Sequence, residues 1–293
     1  MRSMIRPFVT AVLTLLTVAQ PAFAGDRRAG GKLLLTTGVT SVEGAAGGGL
    51  ATWAVIVGNE TRDGIGGKAH ATLVALPDFD LTSFGAAIGV NDRLELSYTR
   101  QRFDTRSAGA TLGLGRGFTF GQDVFGAKLR MVGDAVWDQD SWLPQIAIGV
   151  QHKRANRGAV IRAIGGRHDR GTDFYLAATK VVLSRSLVLN ATMRATKANQ
   201  FGLLGFGGDR HDHYRPQVEG SAGMMLSRRL VVGVEGRSKP SNLGFAREQK
   251  AVDAFAAWAV ARNVSLTAAY VDLGDIATVR RQRGAFLSLQ GSF

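Results

Sequence analysis

The last ten residues of the chain alternate between apolar and polar side chains. In residues 284–293 one parity is apolar and the other polar, namely Ala285, Leu287, Leu289 and Phe293 against Ser288, Gln290 and Ser292. A period of two is typical of a β-strand with one apolar and one polar face. An apolar face that ends on an aromatic residue favours a strand of an outer-membrane barrel, since that face meets lipid. The alternative is the last strand of a secreted sandwich.

Similar stretches recur along most of the chain and predict about fourteen strands of the length that a tilted membrane strand needs. They cover residues 32–41, 50–58, 68–76, 82–90, 93–103, 124–135, 144–153, 173–183, 186–197, 216–226, 229–238, 252–260, 264–273 and 284–293. The pattern therefore predicts an all-β fold, a transmembrane antiparallel up-and-down β-barrel. Twelve strands are the alternative count.

The segments between the strands alternate in length. Short turns are predicted at 91–92, 184–185, 227–228 and 261–263, with long polar segments at 104–123, 154–172, 198–215, 239–251 and 274–283 between them. Outer-membrane barrels have short periplasmic turns and long extracellular loops, so this rhythm favours a barrel over a sandwich. An even strand number then places both ends of the barrel in the periplasm. Near the N-terminus the rhythm is less regular, because the predicted turn at 59–67 is longer than the loop near Pro77.

The first 24 residues have the pattern of a cleaved signal peptide. Arg2 and Arg6 precede an apolar run, and Ala22-Phe23-Ala24 gives the small-x-small cleavage site. We therefore divide the chain into a signal peptide at 1–24, a periplasmic lead-in at 25–31 and an outer-membrane barrel at 32–293. The chain contains no cysteine, so no disulfide can staple the exported fold.

The formal net charge is +13, and loss of Arg2 and Arg6 with the signal peptide would lower it by two. The basic residues are scattered over turns and loops, which argues against nucleic acid as a partner. The expected partners are outer-membrane lipid, lipopolysaccharide, the barrel-assembly machinery, which would read Phe293 as a signal, and small solutes or polysaccharide. Strand parity predicts a set of polar side chains that line the lumen: Glu95, Lys128, Arg130, Gln151, Asn190, Arg194, Glu235 and Arg237.

Several stretches resemble a family of Gram-negative outer-membrane proteins known as domain of unknown function 3034. They are GGKLLLTTGVTSVEGAAGGGL, GDAVWDQDSWLPQIAIGVQ, ATMRATKANQFGLLGFGGDRHDHYRP, NLGFARE and AAYVDLGDIA. The resemblance spans nearly the whole chain after the signal peptide. It implies a barrel in the outer membrane, and it brings no activity and no catalytic residues with it.

Residues that could carry chemistry are few. Asp209, His211, Asp212 and His213 share one polar loop and are weak candidates for a divalent metal site, although solvation explains such a loop equally well. None of the five histidines lies in a convincing arrangement with a nucleophile, so we expect no catalytic residues, no cofactor and no enzyme. The leading prediction is a porin-like channel for small, preferentially anionic solutes. The alternatives are a non-conducting barrel that binds lipopolysaccharide or exported polysaccharide through basic extracellular loops, and an outer-membrane enzyme.

Overall fold

The computed structural model describes residues 32–60 and 64–293 of the chain. The proposed signal peptide at 1–24 and the lead-in at 25–31 lie outside the described residues. Twelve antiparallel strands within the described part form one closed barrel. They are β1 (Ile65–Ala75), β2 (Asp80–Val90), β3 (Leu94–Asp104), β4 (Thr119–Val132), β5 (Gln145–Ala155), β6 (Arg170–Val182), β7 (Leu187–Thr196), β8 (Arg215–Ser227), β9 (Leu230–Arg237), β10 (Ala251–Ala261), β11 (Val264–Asp272) and β12 (Arg283–Ser292).

Each strand pairs with its neighbours in sequence, and the last strand closes the barrel on the first. In that seam Leu289 of β12 lies opposite Ala71 of β1. Closure pairs every strand edge, which a membrane requires because lipid offers no hydrogen-bond partners. Separately, the described residues contain no helix long and apolar enough to cross a membrane.

The connections fall into two classes at the two ends of the barrel. The turn end carries the short connections, such as those at 91–93, 228–229 and 262–263, together with Phe293. The loop end carries most of the long ones, which hold the helices α1 (Ala108–Thr111) and α2 (Gly158–Ala163), the 3₁₀ turn Asn199–Gly202 and the paired short strands Gly166–His168 and Phe206–Gly208. A second 3₁₀ turn, Leu183–Arg185, lies at the turn end. The predicted alternation of turn lengths therefore holds for most connections. The exceptions are the long connection 133–144 at the turn end and the short connection 76–79 at the loop end.

The outer wall is apolar and carries exposed aromatic rings. Along β3, Leu94, Leu96 and Tyr98 are exposed, while Glu95 and Thr99 on the opposite parity are buried. Large exposed rings lie toward both ends, with Trp137, Trp142, Trp258 and Phe293 at the turn end and Phe174, Tyr214 and Tyr270 toward the loop end. Such belts are expected where a barrel wall passes through the two membrane interfaces.

The prediction of fourteen strands is wrong, and the alternative of twelve is right. The first two predicted strands, 32–41 and 50–58, are not part of the wall. Residues 32–60 instead run inside the barrel, and we call this segment the plug. Its only regular structure is a small hairpin in which Val39–Thr40 pairs with Ala46–Gly47. The predicted turn at 59–67 accordingly covers the end of the plug, the connection to β1 and the first residues of β1, and residues 61–63 lie outside the described part.

Candidate functional site in the plugged lumen

The plug enters and leaves the barrel at the turn end. Lys32 Nζ lies 2.7 Å from a carboxylate oxygen of Asp92 in the first short turn. At the other end of the plug, the backbone N–H of Asn59 donates to the carbonyl oxygen of Phe293 over 3.0 Å. Between these points almost every residue from Thr36 to Gly58 is buried. The segment therefore forms a hairpin that reaches into the lumen and returns.

Glycine allows the tip of the plug to turn close to the wall. Gly44 has φ +93°, a left-handed conformation that favours glycine, and a Cβ there would lie 2.1 Å from Oγ1 of Thr99. At Gly48 a Cβ would overlap the carboxylate of Glu235. The glycines of the run EGAAGGG therefore allow the backbone of the plug to come close to the inner wall.

Glu43, at the tip of the plug, is the centre of a buried ion network. Its carboxylate accepts from Arg237 Nη1 over 2.6 Å, contacts Lys153 Nζ, and lies 3.9 Å from Arg194 Nη2. All four side chains are almost completely buried. Burial alone would raise the pKa of Glu43, but Arg237, Lys153 and Arg194 hold that pKa below its usual range. One plug carboxylate therefore joins three strands of the wall.

Carboxylates of the wall cap the free N–H groups of the plug. Glu95 accepts from the backbone N of Ala46 at 3.1 Å and of Val57 at 2.9 Å. Glu235 accepts from Leu50 N over 2.8 Å. Buried backbone groups need such partners, because an unpaired one costs about 1–3 kcal/mol. The wall therefore supplies the hydrogen bonds that an isolated irregular segment cannot make for itself.

The eight side chains that parity predicts for the lumen all point inward, and all except Arg130 contact the plug or each other. Lys128 donates to Val55 O over 2.8 Å and to Glu95 over 3.1 Å. Asn190 donates to Thr52 O over 3.2 Å, and Arg194 Nη1 donates to Gln151 over 2.7 Å. The remaining contacts are those of Glu95, Glu235 and Arg237 described above, and that of Arg130 with Asp92 at the turn end over 2.6 Å. Their surroundings are plug and ion partners rather than an open aqueous pore.

Sequence reasoning missed the partners that complete this network. They are Glu43 of the plug and Lys153, Asp173 and Glu219 of the wall, all of them fully or nearly fully buried. The parity of β5, β6 and β8 could have assigned the three wall residues to the inner face. Nothing in the period-two pattern could have identified Glu43, since the plug is not a strand of the wall.

The loop end of the lumen is closed by apolar side chains. Phe201 and Leu203 from the long connection between β7 and β8 pack with Val42 and Leu50 of the plug and with Phe286 of β12. An enclosed apolar cavity of about 40 Å³ remains among them. We call Phe201 and Leu203 the loop-end cap. The guanidinium of Arg237 lies 4.6 Å from the centre of the Phe201 ring, so a cation–π contact joins the loop-end cap to the ion network.

The weak metal candidates do not converge on one point. Asp209 accepts from Gly244 N over 2.7 Å, and Asp212 contacts Lys197 over 3.2 Å. The rings of His211 and His213 lie 5.5 Å apart, edge to face. Within the described residues, no group of three or more His, Asp or Glu side chains has the geometry to hold a metal ion.

Two histidines contact hydroxyl groups. His70 Nε2 lies 3.3 Å from Ser83 Oγ in the lumen, but this hydroxyl donates to Val42 O, and His70 Nδ1 has no partner in the described part of the chain. His152 Nδ1 lies 3.0 Å from Thr172 Oγ1 on the outer wall. Neither histidine is oriented by a carboxylate, as an activated nucleophile would need.

A closed twelve-stranded barrel with an apolar outer wall and a polar, filled lumen is an outer-membrane β-barrel protein. More particularly, the chain belongs to the family described as protein of unknown function (DUF3034), whose sequence profile matches residues 36–290. The family resemblance seen in the sequence is thus confirmed. No curated protein sequence matches the chain.

Solved structures of similar shape are outer-membrane proteins. The NanC porin superposes with a TM-score of 0.50 at 8% identity, covering 77% of this chain and 98% of the porin. An outer-membrane channel from Pseudomonas putida F1 gives 0.49 at 13% identity, covering 80% and 96%. Omp33 of Acinetobacter baumannii gives 0.44 at 7% identity, covering 80% and 100%. At such low identity the likeness to the NanC porin concerns the barrel fold.

Proposed function

We propose that this protein is an outer-membrane channel for small solutes that its own plug holds closed. The observation that supports the proposal is the course of residues 32–60, which fill the lumen and are held there by side chains of the wall. These contacts are ion pairs and hydrogen bonds, which water can replace when the plug moves. Conduction therefore requires the plug to leave its place, and the loop-end cap around Phe201 to move as well.

A modest preference for anions fits the charges that the plug would leave behind. The inward side chains of the strands include seven basic residues, Lys68, Lys128, Arg130, Lys153, Arg194, Arg215 and Arg237, and five acidic ones, Glu95, Asp173, Glu219, Glu235 and Asp253. Departure of the plug also removes the negative charge of Glu43. The remaining basic excess is small, and salt would screen it further, since the screening length falls to about 3 Å at 1 M.

The second candidate function is a permanently closed barrel that serves as a surface binding protein for lipopolysaccharide or exported polysaccharide. The position of the plug also supports this candidate, because a plug held by a complete buried ion network can be a permanent part of the fold. Conductance separates the two candidates.

The test is a reversible crosslink between plug and wall, measured in planar bilayers. The backbone N of Ala54 lies 2.8 Å from Thr179 Oγ1, so cysteines at both positions are within reach of a disulfide. The chain has no cysteine of its own to interfere. We expect A54C/T179C to be silent when oxidised and to show openings, with a reversal potential shifted toward anions, after reduction.

The matched control is a crosslink within the wall. Thr72 Oγ1 and Ser288 Oγ lie 2.8 Å apart across the seam, so T72C/S288C restrains no part of the plug. Its openings should be the same in both redox states. Openings of A54C/T179C that persist after oxidation would refute gating by the plug. Silence of every variant in every state would support the non-conducting barrel.

A further inference from the structure

Charged side chains on the outer wall concentrate at the loop end of β3 to β6. Arg100 and Arg102 on β3, Arg154 on β5 and Arg170 on β6 are all exposed. Arg100 lies opposite Asp123 of β4, Asp123 opposite Arg154, and Arg154 opposite Arg170. Adjacent strands are about 4.8 Å apart, so this arginine row crosses four strands over about 14 Å.

The arginine row is only partly neutralised. Asp123 accepts from Arg100 Nη1 at 2.5 Å and from Tyr98 Oη at 2.9 Å, and Asp169 accepts from Arg170 at 3.3 Å. Arg102 and Arg154 have no ion pair with any residue that the structure describes. Two guanidinium groups therefore remain available to an anion, and their planar forks suit the oxygens of a phosphate.

An aromatic and apolar surface continues from the arginine row toward the middle of the wall. Tyr98 and Phe125 pack with ring centres 5.1 Å apart, and Phe174 and Tyr214 with centres 5.9 Å apart. Beyond these rings lies a groove of about 510 Å³ on the outer wall. Its walls are aliphatic and include Leu129, Ile148, Val150, Leu176 and Met193. A groove of this kind suits acyl chains.

The rest of the wall shows that this arrangement is local. The outward positions of β7, β8, β9 and β10, all of them fully described, carry no charged residue. On the outward faces of β11 and β12 the exposed Arg283 is paired with Asp272 over 2.7 Å. A general attraction to anionic lipid would not require four arginines in one sector above one apolar groove.

We propose that the arginine row and the groove beneath it form a binding site for lipid A, the phosphorylated, multiply acylated glycolipid of the outer leaflet. Its phosphates bind Arg102 and Arg154, with Arg100 and Arg170 flanking them, and its acyl chains lie against the groove. Lipid A carries phosphates and several acyl chains in one molecule, and the site offers arginines beside an apolar groove. The proposal concerns the outer wall, so it is independent of whether the barrel conducts.

The test is native mass spectrometry of the full protein in detergent, titrated with purified bisphosphorylated lipid A. We expect a discrete one-to-one adduct, weakened at least tenfold in R102Q/R154Q/R170Q. The matched control K180Q/R283Q removes two outer-wall charges outside the site, one of them at the turn end, and should bind as the unaltered protein does. Heat-modifiable migration on gels confirms that each variant is folded.

A second variant tests the groove without changing charge. Ala127 lines the groove, and A127W should weaken lipid A binding while leaving the arginines intact. If the triple arginine variant does not fold, R154Q alone provides the charge test. Equal binding of lipid A and phosphatidylglycerol, with equal loss in the variants, would overturn the assignment to lipid A. Unchanged lipid A binding in the arginine and groove variants, or no adduct at all, would overturn the site.

Discussion

Arg237 of β9 donates from Nη1 to Oε2 of Glu43 over 2.6 Å, and both side chains are buried in the lumen. The two residues are separated by 194 positions in the sequence. The same carboxylate contacts Lys153 on β5, so the tip of the plug is fixed to two distant strands of the wall. This relationship makes Glu43 the residue whose loss should most affect both stability and closure.

The first prediction concerns that residue. E43Q removes the negative charge that Arg237, Lys153 and Arg194 share and leaves those cations buried with fewer partners. Breaking a buried ion pair on one side costs about 3–5 kcal/mol, so we expect a lower urea midpoint of unfolding and more frequent channel openings. The control is D272N, which breaks an exposed pair with Arg283 worth about 0–1 kcal/mol. Equal midpoints for E43Q and D272N would contradict the role of the network.

The second prediction concerns pH at the turn end. Burial raises the pKa of Glu60 to about 7, and Lys32 at 3.3 Å offsets this only in part. Because the folded state keeps the proton more tightly than the unfolded chain, stability at this site is greatest at low pH. It falls as the pH rises from about 4.5 to about 7. Unfolding midpoints should therefore decrease over this range, and E60Q should flatten that dependence. A dependence of the same size in E60Q would exclude Glu60 as its source.

The third prediction concerns Phe293. Its carbonyl oxygen accepts from Asn59 N and from Gly67 N, both at 3.0 Å, and its exposed ring lies at the turn end. Deleting Phe293 should reduce the amount of heat-modifiable protein in the outer membrane, because the last backbone bonds of the seam and the aromatic anchor are both lost. F293A keeps the backbone bonds and should assemble better than the deletion. Normal membrane levels of the deletion variant would contradict the prediction.

The fourth prediction concerns topology. Epitopes placed in 198–215 or 274–283, at the loop end, should be labelled on intact cells. Insertions at Ser184-Arg185, at the turn end, should be labelled only after the outer membrane is opened. Labelling in the reverse pattern would place the loop end in the periplasm. The arginine row would then lie at the inner leaflet, out of reach of lipid A in the outer leaflet.

Where a strand has one face toward lipid and one toward the lumen, the alternation of apolar and polar residues along it is enough to predict the strand. Leu94, Leu96 and Tyr98 alternate with buried neighbours, and the lengths of the connections separate the two ends. Both signals depend only on near neighbours in sequence. The predicted strands of the wall therefore lie within about three residues of the observed bounds, except that β4 begins at Thr119, five residues before its predicted start.

The plug could not be predicted in this way, because its sequence has the pattern of strands although it forms no strand of the wall. Trp53 to Val57 is an apolar run between Thr52 and Gly58, which is also the pattern of a buried strand. Its N–H groups instead pair with side chains of the wall, as between Val57 and Glu95. Such partners are distant in sequence, so the pairing of Glu43 with Arg237 and Lys153 leaves no local signature.

The hydrogen bond from Thr40 N to Gln290 Oε1 joins residues 250 positions apart, at opposite ends of the folded chain. This plug contact can therefore form only after the last strand has been made, although the plug is synthesised before every strand of the wall. Contacts so distant in sequence are slow to form, because loop closure costs entropy before any contact compensates for it. During export the carboxylate of Glu43 would be exposed to water and without its partners of the wall, and it would become buried only when the wall closes around the plug.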